Sequence, residues 1–268
     1  MTGTPPSEPH SLSPAVTRAG TILDLLAASR EPMGVSVLAR SLRLPKSSVA
    51  NICATLVDSG LLRTVGGGYA LGAKLAQLGS AYLAGVDQVT LFQTAVNRLT
   101  LGRRETAQLA TLGDGLDVIY LARRDGTFPV RLVSAPGAVL PASCAATGKA
   151  MLASLAPGEL AARLDCRRPF PRLTARSITS LRALRAELNQ IRSQGYAVDR
   201  EEVVEGVVCI AIAVPPARTD DPPLAVSFTL LAPRAQPVQL TRLADELKVV
   251  ARDIASALGA PTVGRRPA

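Results

Sequence analysis

The chain has 268 residues, and 30 Lys and Arg stand against 21 Asp and Glu, giving a formal charge of +9. The length fits roughly two domains of about 100–200 residues, and a hydrophobic fraction of 47% is enough to fill real cores. Aromatics at 3%, with no Trp, exclude a base-stacking platform for single strands, and the one histidine, His10 in a polar tail, removes most His-based catalysis and His-ligated metal sites.

Residues 1–13 are rich in Pro and Ser and read as a disordered tail, with no basic and apolar segments of an export signal. From Ala15 the pattern turns helical, with Val16, Ala19, Ile22, Leu23 and Leu26 spaced along one apolar face. Glu31-Pro32-Met33-Gly34 ends that helix, and a short one over 36–41 buries Val37, Leu38 and Leu42. Arg43-Leu44-Pro45 is a turn. A third helix starts at Lys46 or Ser47 and ends at Gly60, placed for a left-handed cap. Runs over 61–65 and 69–71, joined by Gly66-Gly67-Gly68, predict a hairpin. Three short helices and a hairpin outline a winged helix-turn-helix, whose third helix enters the DNA major groove.

The third helix carries two faces. Val49, Ile52, Cys53 and Leu56 form the docking stripe, and Ser47, Asn51 and Thr55 lie largely opposite, with Lys46 and Ser48 at the start. These polar side chains are short enough to approach base edges; Asn pairs bidentately with adenine, and Ser or Thr donates to bases or phosphates. Arg18, Arg40, Arg43 and Arg63 are candidates for phosphate contacts, in a stretch over 12–80 with seven basic and three acidic residues. The plain alternative is a small helical module whose polar face is only solvated.

Lys74, Leu75, Leu78, Tyr82 and Leu83 predict a linker helix over 74–88, between a DNA-binding domain at 14–73 and a second domain at 89–260; 261–268 is a further tail. The second domain opens with a helix over 89–101, followed by strands over 106–112, 117–121 and 130–133 with Gly-containing hairpin turns between them. Helices follow over 148–155, 158–165 and 180–194, then strands over 203–214 and 224–231, then a helix over 238–258. This order predicts an α+β sheet domain with helices on one side. The longest apolar stretch, 203–214, is broken by Glu205 and is too short for a membrane span. Cys53, Cys144, Cys166 and Cys209 are scattered without a C-x-x-C pair, as reduced, mostly buried thiols of a cytoplasmic protein would be.

Gly148-Lys149 is followed by Ala150 and preceded by Ser143 where a Walker loop needs Ser or Thr and a first Gly, so no nucleotide-phosphate loop is expected. A helix starting near Gly148 instead offers free N–H groups to an anion. Ser227 and Thr229, two apart, point to one face of a strand, and their hydroxyls suit a carboxylate.

The chain resembles the IclR family of bacterial transcription regulators from Ala15 to Leu258. Four segments carry the resemblance: AVTRAGTILDLLAAS, LARSLRLPKSSVANICATLVDSGLLR, LPASCAATGKAMLA and IRSQGYAVDREEVVEGVVCIAIAVPP. The resemblance implies a GAF-like second domain that binds small organic acids. It also implies a homodimer or dimer of dimers acting as repressor or activator. It places the backbone of Ala146 and Thr147, beside Gly148, against the effector pocket, with Asp199, Cys209, Ser227 and Thr229 at pocket-lining positions. Asn51 stands where the family often has Arg, and Ser143 where it often has His. The expectation is therefore a ligand-responsive regulator of double-stranded DNA, with no catalytic residues, cofactor, metal or membrane contact. The competing reading is a small-molecule enzyme or binding protein with an N-terminal helical dimerisation module.

Overall fold

The computed structural model describes residues 12–29, 31–84, 87–113, 115–127, 134–165 and 170–260. The chain divides into two compact units, Met1–Gly85 and Val86–Ala268. The first holds α1 (Pro14–Ala28), α2 (Val35–Leu42), α3 (Lys46–Asp58), β1 (Leu62–Val65), β2 (Gly68–Leu71) and α4 (Ala73–Ala84). Ile22 and Leu26 of α1, Leu38 of α2 and Val49, Cys53 and Leu56 of α3 close one small core. Two expected core residues lie outside it. Val16 is 70% exposed and Val37 44% exposed. Val16 sits in the first turn of α1, before the packed residues begin at Ala19, and Val37 falls off the stripe made by Leu38, Ala39 and Leu42.

Helix α3 ends as its sequence requires: the Gly60 N–H donates to Val57 O at 2.9 Å and the Leu61 N–H to Leu56 O at 2.9 Å, a Schellman pair. The β1–β2 hairpin turns on Gly66 and Gly67, with φ of 56° and 76°. Positive φ at both central residues matches the right-handed strand twist, and only residues like Gly adopt it cheaply. Asp87 and Gln88, expected in the linker helix, instead open the next helix.

The second unit contains α5 (Asp87–Val96), β3 (Thr106–Leu112), β4 (Asp117–Arg124), β5 (Val139–Pro141), α6 (Ala146–Ser154), α7 (Pro157–Leu164), α8 (Leu181–Gln194), β6 (Ala197–Arg200), β7 (Val207–Val214), β8 (Leu224–Leu231) and α9 (Pro237–Ala257). The six strands form one antiparallel sheet in the order β5-β4-β3-β8-β7-β6. Ala110, Tyr120, Ala197, Ala211 and Ala225 face α6 and α8. Alternation sends Val208, Ile210, Ile212, Val226, Phe228 and Leu230 to the opposite face, where α9 and α5 pack. The helices thus cover both faces rather than one, which is why β8 is buried at every position but its last.

Other expectations also shift. The helix predicted over 89–101 stops at Val96, and a 3₁₀ turn, Gly102–Arg104, leads into β3. The run over 203–214 is strand only from Val207, because Glu201 and Gly206 adopt φ of 65° and 78° and loop the chain between them. The short strands β5 and β6 were not foreseen, and the strand expected over 130–133 lies outside the described residues. Helix α8 matches its reading closely, with the Ser180 hydroxyl accepting from the Ala183 N–H at 3.2 Å and Gly195 closing its end.

The α5–β3 connection is fixed from a distance by Glu246 of α9. Its carboxylate accepts from the N–H groups of Thr100, Leu101 and Gly102 and from the Thr100 hydroxyl, at 2.6–3.3 Å. Burial works against its charge, but these donors outweigh it and hold the carboxyl below its usual range. Glu246→Gln should cost about 1.5 kcal/mol at neutral pH, the low end for a charged hydrogen-bonding group because the side chain is half-exposed. A depressed folded pKa contributes stability above the unfolded value and loses it as pH falls through the folded one. Urea unfolding should show the gap between wild type and Glu246→Gln narrowing as pH drops below about 4. No helix among the described residues is long and apolar enough to cross a membrane.

Candidate functional site

In the first unit, α2 and α3 are joined by a tight turn. Arg43 takes a left-handed conformation with φ of 53°, Leu44 N–H returns to Ala39 O at 3.0 Å, and Pro45 stops any continuation of α2. With Val49, Cys53 and Leu56 buried, Lys46, Ser47, Asn51 and Thr55 are exposed together on α3 and Ser48 is half-buried. The Thr55 hydroxyl donates to Asn51 O at 3.0 Å, leaving its oxygen free to accept. Arg40 and Arg43 are exposed at the end of α2, Arg18 is half-buried on α1, and Arg63 is exposed on β1 with its Nε donating to Leu71 O at 3.3 Å. Among the described residues, Arg18, Arg40, Arg43 and Lys46 make no ion pair.

In the second unit, strand register aligns Asp199 of β6, Cys209 of β7, Thr229 of β8 and Thr106 of β3 in one row. By alternation this row faces α6. A cavity of 20 Å³ opens at its β6–β7 end, lined by Asp199, Cys209, Tyr120, Ser134 and Val203, among others. That volume is room for about one water. Of the seven residues expected at an effector site, Asp199 and Cys209 reach this cavity directly. Thr147 reaches it through Tyr120, whose hydroxyl lies 3.4 Å from the Thr147 Oγ1. Ser227 and Thr229 stand one step behind. Their hydroxyls donate to Gln108 Oε1 at 3.3 and 3.0 Å, and the Gln108 amide nitrogen donates to the Ser134 hydroxyl. The Cys209 thiol lies 3.2 Å from the Thr229 hydroxyl.

Helix α6 begins at Ala146, two residues earlier than expected, so the free N–H groups of its first turn belong to Ala146, Thr147 and Gly148 themselves. Gly148 is a packing residue: a Cβ there would lie 2.3 Å from Ala142 Cα, inside backbone contact distance. The next residue, Lys149, is fully buried. Its Nζ donates to Val198 O at 2.8 Å and pairs with Glu202 at 2.5 Å and Glu187 at 3.1 Å. Lys149 thereby ties α6 to α8 and to the 201–206 loop whose Val203 and Val204 wall the cavity.

Burial pushes the Asp199 carboxyl up to about 7, aided by the nearby Glu202 charge and opposed by the Glu202 N–H it accepts at 2.6 Å and by Lys149. Burial also raises Tyr120 and Cys209, so the thiol is a poor nucleophile. A carboxyl raised in the folded state favours folding fully only below its unfolded value, and that advantage is lost as pH rises toward 7. Asp199→Asn keeps the acceptor and removes the buried charge. Its melting temperature should rise relative to wild type between pH 5 and pH 8; a constant difference would remove Asp199 as the buried acid.

Tyr120, Ser134, Gln108, Lys149 and Glu202 were not expected here. Gln108 carried a signal, as a lone amide in the apolar run Thr106–Leu112; for Lys149 the only hint was its place in the Gly-Lys step.

Residues 15–66 match the IclR helix-turn-helix domain model, and residues 80–256 match the model of the bacterial transcriptional regulator IclR C-terminal domain. The HTH-type transcriptional regulator XynR of Escherichia coli is 31% identical over 253 residues, covering 92% of this chain and 98% of XynR. The HTH-type transcriptional regulator KdgR of the same organism is 32% identical over 209 residues, covering 77% of this chain and 78% of KdgR. The crystal structure of Thermotoga maritima IclR superposes with a TM-score of 0.66 at 26% identity, covering 91% of this chain and 98% of that one. These relatives are regulators, which removes the enzyme reading. A helix-turn-helix unit followed by an α+β effector unit, matched across nearly the whole chain, makes this protein a member of the IclR family of transcriptional regulators.

Proposed function

We propose that the chain binds operator DNA as a cytoplasmic homodimer or dimer of dimers and that a small organic acid bound in the second unit controls that binding. Residues 14–73 serve as the DNA-binding domain, 74–86 as the linker and 87–260 as the effector domain. The observation that carries the reading is the exposed Ser47, Asn51 and Thr55 row on α3, opposite a fully packed stripe and behind a tight turn. Lys46, Ser47, Ser48 and Asn51 form the DNA-reading set, with Thr55 beside them, and Arg18, Arg40, Arg43 and Arg63 lie on phosphates. Two such helices reach successive major-groove faces about 34–36 Å apart, which is what a dimer supplies.

The effector site is the polar network from the α6 first turn, Ala146, Thr147 and Gly148, through Asp199 and Cys209 to Ser227 and Thr229, with Gln108 as its hub. A ligand larger than a water needs this cavity to widen, and displacement of the wall formed by Val203 and Val204 would couple ligand to conformation. A thermal-shift screen of organic acids on wild type and on Ser227→Ala/Thr229→Val tests this. An acid that raises the wild-type melting temperature should change affinity for the chain's upstream DNA and lose both effects in the double variant. Retention of the full shift by the double variant would move the site elsewhere.

A further inference from the structure

Between the end of α6, helix α7 and helix α8 lies a groove of 470 Å³, away from the cavity beside Asp199. Its size falls within the range of small-ligand pockets, about 300–1,000 Å³. Leu155, Leu160 and Leu188 form an apolar floor, each no more than 9% exposed. Arg185, Asn189 and Arg192 line the other wall from successive turns of α8. The acids of these helices stay out of the groove: Glu159 pairs with Arg163 at 3.3 Å, and Glu187 pairs with Lys149. Arg192 is held in place, its Nε donating to Ala153 O at 2.9 Å and its Nη1 to Asn189 Oδ1 at 3.1 Å. Arg185 is exposed and makes no ion pair among the described residues. Helix α8 carries Arg182, Arg185 and Arg192 against one acid, Glu187, which is paired with Lys149, so the charge beside the groove is positive.

We infer that this groove is a second ligand site, for a small amphipathic anion whose carboxylate meets Arg185 and Arg192 while its hydrocarbon body lies on Leu155, Leu160 and Leu188. The chemistry follows from the two walls. A guanidinium fork binds a carboxylate through parallel charge-assisted bonds, and a fixed guanidinium loses less freedom on binding. A leucine floor favours a chain or ring and gives no hydrogen bond to a polar body. The site differs from the network around Asp199, which has no Lys or Arg among the residues lining its cavity.

Calorimetric titration of octanoate into the full chain tests the inference, with octanamide as the neutral control. One saturable site per chain is expected, with octanamide at least about tenfold weaker, the loss of charge-assisted bonding. Arg185→Glu should weaken octanoate at least about tenfold. Arg182→Glu, one turn away on α8 and outside the groove, should change it less than about twofold. Asp199→Asn reports on the other cavity and should leave octanoate affinity unchanged. The inference is overturned by absence of saturable binding or by equal affinity for octanamide. It is equally overturned if both arginine reversals have the same effect, or if Asp199→Asn abolishes binding while Arg185→Glu does not.

Discussion

Lys149→Met is expected to destabilise the second unit by about 3–5 kcal/mol, the typical cost of leaving a buried charge without its partner. For a domain of this size that is a fall in melting temperature on the order of 10 °C. The reason is local. Lys149 is fully buried and holds Val198 O, Glu202 and Glu187 at once, and Glu202 Oε2 already lacks a partner. Removal of the ammonium strands the Glu202 carboxylate, which burial has already pushed toward its neutral form. Lys149→Met/Glu202→Leu should recover most of the loss, because an apolar pair of similar volume replaces a buried ion pair at little cost. Additive losses in that double variant would show that the two side chains act independently. The 201–206 loop should also become more mobile in Lys149→Met, measurable as faster amide exchange at Val203 and Val204.

Asn51→Ala should weaken binding to the specific operator by about 1–3 kcal/mol, roughly 5- to 150-fold, while random duplex is bound as before. Asn51 is exposed in the middle of α3 with its side chain unengaged by the core, so the substitution leaves folding intact. Arg43→Asn gives the opposite pattern. Asn tolerates the left-handed backbone that Arg43 adopts, so the variant removes charge without adding strain. Binding should weaken on every sequence, and the slope of log affinity against log salt should fall by about 1. Equal losses on operator and random DNA for Asn51→Ala would exclude it from base reading.

Long amphipathic elements were legible in the sequence. Helix α8 carries Leu184, Leu188 and Ile191 at helical spacing between a Ser cap and a Gly stop, so its limits could be read within a residue. The first three helices and the glycine hairpin were legible for the same local reasons. Strands β5 and β6, of 3 and 4 residues, carry too little periodicity to stand out. The second helical layer could have been inferred: β7 and β8 are apolar at successive positions, as strands covered on both faces are. The site was harder, because its contacts depend on register. Gln108 meets Ser227 and Thr229 across about 120 residues, and Lys149 meets Glu202 across 53. Nothing local to either segment encodes such pairings. The hydroxyls of Ser227 and Thr229 point to the expected face, yet Gln108 already accepts from both, so the cavity is bordered by Asp199, Cys209, Tyr120 and Ser134 instead.

Recognition of particular DNA sequence by α3, as proposed, differs measurably from attraction to polyanions in general. Equilibrium titration of the full chain against a duplex from its own upstream region, and against a scrambled duplex of equal length and composition at the same salt, tests it most directly. Affinity should be at least about 10³-fold higher for the upstream duplex. Equal affinity for the two, with the same salt slope, would contradict it and leave the exposed face of α3 as a solvated surface.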